Sequence, residues 1–279
     1  MSTPEESGGK ETPTDSTESV GVIHPNSKED WSELTFRTRP EGGTLIEADY
    51  EIRRFKQELR RRSSYEKPDP TMWDLPWGTS NASYDPQCNS INVYAGFLTG
   101  DLYREDMTRE ELMAGVGMVI AHELSHAFDT KGSKYDETGA LRDWWTEADQ
   151  QAFDRRVEKL IAYYESLHPW KDGSSYSGTL VQQEAIADLG AMGCILRIAK
   201  KTEGFDYDAF FRAFTKLRRC KMTETAMENR FRTNPHPMDH LRVNVVAAQF
   251  PEFQETYDIR PGDGMYVAPE DRITIWGAS

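Results

Sequence analysis

Apolar residues dominate the stretch that precedes the densest group of polar residues in the chain. Residues 115–121 are all small or apolar, and apolar side chains recur for several positions beyond them. A helix that is apolar on nearly every side is buried in a protein core. Thr108 followed by Glu111 has the pattern of a capping box, which predicts the start of this helix. Lys131 and Gly132 predict its end.

A second, largely buried helix is predicted from Thr179 onward, because apolar residues recur at helical spacing. These residues are Ile186, Leu189, Met192 and Ile195. Weaker patterns predict further elements: helices at residues 50–62 and 206–220, a helix capped by Thr146 that runs to Leu167, a helix after position 236, and a strand at residues 91–98. The sequence therefore predicts a mainly α-helical α+β domain with a small β-sheet.

The N-terminal segment differs in composition from the rest of the chain. Residues 1–30 contain no aromatic residue and are rich in Ser, Thr, Glu, Pro and Gly. Such a segment buries too little apolar surface to offset the entropy lost on ordering. We predict a disordered acidic tail or linker over residues 1–40 and a folded domain over residues 41–279. No secretory signal is visible, so we expect a cytoplasmic location for the chain as written, and an extracellular or cell-surface one if it is a fragment of a longer precursor.

Charge and cysteine usage narrow the classes of partner. With 33 Lys and Arg against 47 Asp and Glu, the formal net charge is −14. This balance predicts no nucleic-acid partner and no anionic membrane partner, and no stretch is long enough for membrane insertion. Cys88, Cys194 and Cys220 are odd in number and widely spaced, which predicts free thiols rather than a disulfide framework.

The first candidate site is the sequence His-Glu-Leu-Ser-His at residues 122–126. His122 and His126 lie four residues apart, so both imidazoles share one face of a helix and can bind one metal ion. Glu123 can reach a water bound to zinc and act as a base. Asp129 is expected to accept a hydrogen bond from the ring nitrogen of His126 that does not bind the metal. The alternative is a solvated polar helix face, but the apolar flanks favour burial and metal binding.

A third ligand is expected, because catalytic zinc usually has three protein ligands and an open position. Glu184 is the best candidate, since it lies on the second predicted helix with Asp188 one turn later. Asp188 could then hydrogen-bond a ligand imidazole and fix its orientation. The alternative, an exposed acidic stripe on this helix, stays open from spacing alone.

Seven short segments occur along the chain in one characteristic order. They are residues 81–84, 91–98, 122–129, 144–146 and 184–190, then His236 with Arg242 six positions later, and Trp276. In content and order they resemble the C-terminal catalytic domain of the neprilysin and endothelin-converting-enzyme family of zinc metallopeptidases. The resemblance extends over residues 44–276, and the joint pattern is far more specific than two histidines four residues apart.

The resemblance implies one zinc ion per chain, with His122, His126 and Glu184 as its ligands. It implies that Glu123 is the general base. It also implies that Asp188 is a second catalytic carboxylate, which orients a ligand histidine or donates a proton.

The resemblance also implies roles for residues outside the two helices. His236 would stabilise the oxyanion of the tetrahedral intermediate, Arg242 would hold a substrate carbonyl or carboxylate, and Asn81 and Ala82 would pair with the substrate main chain. From the residues alone, His236 is a surface-loop histidine with His240 as its rival, and Arg242 is a solvated helix charge.

The implied fold is a zincin, thermolysin-like catalytic domain with zinc between two central helices. The implied activity is that of a metalloendopeptidase or oligopeptidase acting on peptides. Family members carry a large helical domain before this one, and we expect the present chain to lack it. The alternative function is therefore a catalytically weak zinc-binding module, or a half-enzyme that needs a separate helical cap-domain chain or a homo-oligomer.

Overall fold

Helices make up most of the structure, a computed structural model that describes residue 32 and residues 34–66, 75–76 and 78–276. The α-helices are α1 (Leu45–Ser63), α2 (Arg109–Leu112), α3 (Met118–His126), α4 (Glu147–Glu165), α5 (Gly178–Lys200), α6 (Tyr207–Leu217), α7 (Glu224–Thr233), α8 (Asp239–Ala248) and α9 (Pro251–Thr256). Two strands, β1 (Ala82–Asp85) and β2 (Ser90–Val93), pair antiparallel. The predicted mainly helical α+β architecture is confirmed. Most of the predicted tail, residues 1–40, lies outside the described residues.

The core forms where α5 packs against α3, α4 and α8. Small and apolar residues bury α5 along its length, including Val181, Ile186 and Met192, each fully buried. At Gly190 the approach to α3 is especially close, since a Cβ there would lie 2.4 Å from the Ser125 hydroxyl oxygen. Close packing of this kind holds two helices at a fixed separation, because the interior tolerates little change in volume.

The predicted buried helix that begins at Thr108 is divided into three segments. The predicted capping box is present: the Thr108 hydroxyl accepts a hydrogen bond from the Glu111 N–H, and the Glu111 carboxylate accepts one from the Thr108 N–H. Helix α2 is followed by a π-helical segment, Met113–Gly117, in which Gly115 has φ −88° and ψ −109°. A Cβ at Gly115 would lie 2.7 Å from the Leu102 carbonyl oxygen, so the backbone bends where glycine fits.

The predicted end of this helix at Lys131 and Gly132 is wrong. Helix α3 ends at His126, because the Asp129 carboxylate accepts hydrogen bonds from the backbone N–H groups of Lys131 and Gly132, each at 2.7 Å. A side-chain acceptor of this kind takes backbone donors that would otherwise continue the helix. The resulting turn folds back on α3, and a Cβ at Gly132 would lie 1.9 Å from the His126 carbonyl oxygen.

Of the predicted strand at residues 91–98, only residues 91–93 belong to a strand. Strand β2 ends at Val93, which pairs with Ala82, and a 3₁₀ turn follows at Ala95–Phe97. Gly96 lies against the chain near Gly78, where a Cβ would come 2.1 Å from the Gly78 carbonyl oxygen. This close backbone approach, which an apolar pattern does not reveal, turns the chain out of the sheet.

Other helix boundaries differ modestly from the predictions. Helix α1 begins at Leu45 instead of residue 50, α4 ends at Glu165 instead of Leu167, and α6 ends at Leu217 instead of residue 220. The predicted helix after position 236 is α8. Helices α7 and α9 were not predicted, because they are short and bury few apolar side chains.

The sequence also bears on membrane spanning and cysteine pairing. None of the helices described is long and apolar enough to cross a membrane. Cys88, Cys194 and Cys220 are free thiols, as predicted. Cys194 lies on α5 with its side chain exposed.

We expect Gly190→Ala to lower stability, because the new methyl group would force α5 away from Ser125. Overpacking of this kind costs about 1–3 kcal/mol in the free energy of unfolding, which urea denaturation at fixed zinc concentration would measure.

Gly193→Ala is the matched control on the same helix. Its Cβ would lie 3.6 Å from Phe250, an ordinary contact, so better helix propensity should leave stability equal or raised by about 1 kcal/mol. Equal destabilisation by both substitutions would show that the separation of α3 and α5 is not set at Gly190.

Candidate metal centre

Three side chains from two helices converge on one point. His122 and His126 project from successive turns of α3, and their Nε2 atoms lie 3.2 Å apart. Glu184 on α5 places its Oε2 atom 3.1 Å from Nε2 of His122 and 3.7 Å from Nε2 of His126. Among the residues described, these three alone form a His, Cys, Asp or Glu group compact enough to hold a metal ion.

The outer nitrogen of each imidazole faces a carboxylate. Nδ1 of His122 lies 3.0 Å from Oδ1 of Asp188, and Nδ1 of His126 lies 2.8 Å from Oδ2 of Asp129. These neighbours keep the proton on Nδ1 and leave the Nε2 lone pair of each ring directed at the common point. Asp129 therefore has two functions, since its other oxygen also ends α3.

The donor set fits a zinc ion. Two nitrogen lone pairs and a carboxylate oxygen within 3.7 Å of one another would repel unless a cation or protons lay between them. Burial by itself would lower the pKa of His122, but Asp188 and Glu184 raise it to about 9. The pocket thus attracts positive charge, and two imidazoles with one carboxylate are a ligand set that zinc favours.

Glu123 lies in the same cleft without belonging to the ligand set. It is buried, and burial raises its pKa above the ordinary value, although the nearby imidazoles act in the opposite direction. A carboxylate with a raised pKa is better matched to proton transfer near neutral pH.

Arg242 binds Asp188 with two buried hydrogen bonds, from Nε at 2.7 Å and from Nη2 at 2.6 Å. Burial alone would raise the pKa of Asp188, but the Arg242 guanidinium outweighs this effect and holds it well below its usual range. Asp188 is therefore ionised at neutral pH, which favours orientation of His122 over proton donation. The substrate-binding role of Arg242 stays a prediction.

His236 lies in the cleft, whereas its rival His240 lines a different cavity. Nε2 of His236 is 3.1 Å from Oε2 of Glu184, and Nδ1 of the same ring is 3.2 Å from Oδ1 of Asn234. Asn234 holds the segment by accepting the His236 backbone N–H at 2.9 Å. Asn234 was missed, although an Asn side chain that accepts a backbone N–H two residues later is a known turn signal.

Strand β1 forms the opposite wall of the cleft. Asn81 and Ala82 both line it, and the cleft measures about 290 Å³. The Asn81 carbonyl accepts the Tyr94 N–H at 3.1 Å. Within the residues described, β1 pairs with β2 alone, so its other edge can bind an extended chain. The structure thus places the predicted site residues in or directly beside the cleft. Arg242 is the exception, because it lies behind Asp188.

The sequence matches Peptidase family M13 over residues 81–273. The chain therefore belongs to this family.

Similar proteins carry related names. The chain is 33% identical to the neutral endopeptidase of Lactococcus lactis subsp. lactis, covering 88% of this chain and 39% of that protein. It is 28% identical to human endothelin-converting enzyme 1, covering 75% of this chain and 28% of that protein. The solved structure of PepO from Lactobacillus rhamnosis superposes with a TM-score of 0.78 at 33% identity, covering 88% of this chain and 38% of that one. The chain thus spans about two-fifths of the length of these bacterial relatives.

We expect Glu184→Ala to lose most of the bound zinc, because removal of one of three protein ligands leaves the two imidazoles of α3 alone. Zinc content after dialysis against a weak chelator, measured by mass spectrometry, would report the loss.

Gln183→Ala is the matched control, since Gln183 lines the cleft next to Glu184 without belonging to the ligand set. It should retain one zinc ion per chain. Stoichiometric, tightly held zinc in the Glu184→Ala variant would contradict the assignment of Glu184 as a ligand.

Proposed function

We propose that this chain hydrolyses peptide bonds as a zinc-dependent metalloendopeptidase or oligopeptidase. The observation that carries the proposal is the placement of buried Glu123 in the same cleft as three convergent metal-binding side chains. Membership of Peptidase family M13 supports it, as do relatives named neutral endopeptidase and endothelin-converting enzyme. No feature of the described residues favours the alternative of a catalytically weak module.

In this proposal His122, His126 and Glu184 would hold one zinc ion. When bound, zinc supplies a Lewis acid that lowers the pKa of water and polarises a carbonyl group. Glu123 accepts a proton from the water as its oxygen attacks the carbonyl carbon. Glu123 then gives this proton to the amine nitrogen as the C–N bond breaks, which yields a carboxylic acid and an amine and restores Glu123.

Two other groups would assist the reaction. Nε2 of His236 lies in the cleft beside Glu184 and, in the tautomer that carries its proton there, donates a hydrogen bond to the oxygen on which negative charge develops. Each preorganised donor of this kind contributes about 3 kcal/mol to transition-state stabilisation. The free edge of β1 at Asn81 and Ala82 would pair with the backbone of an extended peptide.

Asp188 would act by holding His122 in position. Its carboxylate is held by Arg242 and lies 3.0 Å from Nδ1 of His122, so it fixes the ring in the orientation that directs Nε2 to the metal. Such supporting carboxylates raise the basicity of the ligand imidazole.

We expect Glu123→Gln to retain zinc and to lose roughly 10²–10⁴-fold in kcat/KM, because the amide keeps the shape but cannot accept the proton. Hydrolysis of an internally quenched peptide, measured alongside zinc content, separates binding from chemistry.

Glu158→Gln is the control for the lost charge, since Glu158 is exposed on α4. It should leave turnover unchanged. Undiminished hydrolysis by the Glu123→Gln variant would mean that another group activates the water.

A further inference from the structure

A second cavity, of about 340 Å³, contains none of the metal-binding side chains and shares no lining residue with the cleft. The segment that follows His236 separates the two spaces, since His236 lines the cleft and Met238, two residues later, lines the cavity. Its walls come from the ends of α6 and α7 and the start of α8. Residues that line it include Arg218, Met222, Met227, Arg230, Met238 and Asp239.

Most of the charge in this cavity is already paired. Arg230 donates two hydrogen bonds to the Asp239 carboxylate, at 2.9 and 3.1 Å. Burial lowers the pKa of His240, which keeps its imidazole neutral near pH 7.

Arg218 and Arg219 differ from these groups. Arg219 is exposed and donates a hydrogen bond from Nε to the Lys216 carbonyl, whereas Arg218 is partly buried. Its guanidinium makes no hydrogen bond to any residue that the structure describes, and the one carboxylate within 4 Å is Asp188, at 3.9 Å. Asp188 already accepts two hydrogen bonds from Arg242. Burial lowers the pKa of Arg218, and repulsion from Arg242 lowers it further. Asp188 and Asp239 attract this cation, but each already accepts two hydrogen bonds from another arginine, so Arg218 shares its carboxylate neighbours.

Arg218 lies close to one of the metal-binding side chains. Nη2 of Arg218 lies 3.9 Å from Oδ1 of Asp188, which in turn lies 3.0 Å from Nδ1 of His122. The guanidinium is thus within about 7 Å of a metal-binding imidazole. Nδ1 of His122 faces away from the metal-binding point and Asp188 is buried, so the path from the reacting carbonyl to the cavity is longer than this distance. An extended peptide advances about 3.3 Å per residue, so a substrate residue about three positions from the reacting carbonyl spans this longer path.

We propose that Arg218 is a specificity-determining residue that binds a substrate carboxylate in this cavity. The carboxylate comes from an acidic side chain near the scissile bond or from the C-terminus of a short peptide. The inference rests on the proposed peptidase function and names the substrate class. Methionine side chains along the wall suit the methylene groups of glutamate, while the guanidinium suits its carboxylate. A chain of net charge −14 would otherwise repel acidic peptides.

The test is a series of quenched, C-terminally amidated peptides in which Glu or Gln occupies each of the three positions on either side of the scissile bond. Mass spectrometry would identify the bond cleaved. We expect kcat/KM for Glu to exceed that for Gln by roughly tenfold at one position, the gain typical of one charge-assisted hydrogen bond. A peptide that ends at this position, compared as free acid and as amide, distinguishes a terminal carboxylate from a side-chain one.

Substitutions then assign the preference to Arg218. Arg218→Gln should reduce the Glu-to-Gln ratio to about one, and Arg218→Lys should keep part of it, because lysine retains the charge without the planar fork. The ratio cancels any common effect on catalysis through Asp188. Lys221→Gln is the matched control, since Lys221 is exposed and does not line the cavity. It removes the same charge and should leave the ratio unchanged.

Several results would overturn the proposal. They are equal rates for Glu and Gln at every position with no free-acid preference, an unchanged ratio in Arg218→Gln, or an equal loss in Lys221→Gln. If no peptide is cleaved at all, the proposed function fails instead. Binding of intact Glu and Gln peptides to the Glu123→Gln variant, measured by fluorescence anisotropy, then still decides whether Arg218 selects a carboxylate.

Discussion

The packing of α5 on α3 brings a carboxylate to two imidazoles that lie far earlier in the chain. Glu184 comes within 3.1 Å of His122, although 62 positions separate them. This contact requires the helices to approach closely at Gly190, where any side chain would meet Ser125. The candidate metal centre therefore depends on a packing constraint. Because interiors are densely packed, a small change in helix separation would move a ligand out of reach.

A buried network of charges surrounds Asp188 on α5, with partners from α3, α8 and the end of α6. This carboxylate is almost inaccessible to solvent, and Arg242, His122 and Arg218 all approach it. Burying charge is costly unless partners offset the loss of hydration, and removal of one partner leaves the others exposed to that cost. In return the network holds the His122 ring in one orientation. Arg218 forms no hydrogen bond to Asp188, because Arg242 already occupies that carboxylate. The Arg218 guanidinium is therefore available to bind a substrate carboxylate.

Local sequence predicted the parts of the site that short-range geometry controls. The spacing of His122 and His126 placed both rings on one face of α3, and Asp129 was correctly expected beside His126. The capping box at Thr108 and the buried character of α5 were also predictable, because each depends on residues within a few turns. Helix ends were less predictable: Asp129 ends α3 through its side chain, and the close approach of Gly96 to Gly78 ends β2 early.

The sequence by itself therefore determined the helical character of the domain, the two-histidine face and the family resemblance. The tertiary structure decided which distant groups meet these residues. Only the fold places Arg242 against Asp188, where the sequence suggested a solvated charge, and only the fold puts Arg218 beside the same carboxylate. The physical reason is that helical periodicity fixes directions within one element, whereas a contact between elements depends on the volume and charge of every side chain packed between them.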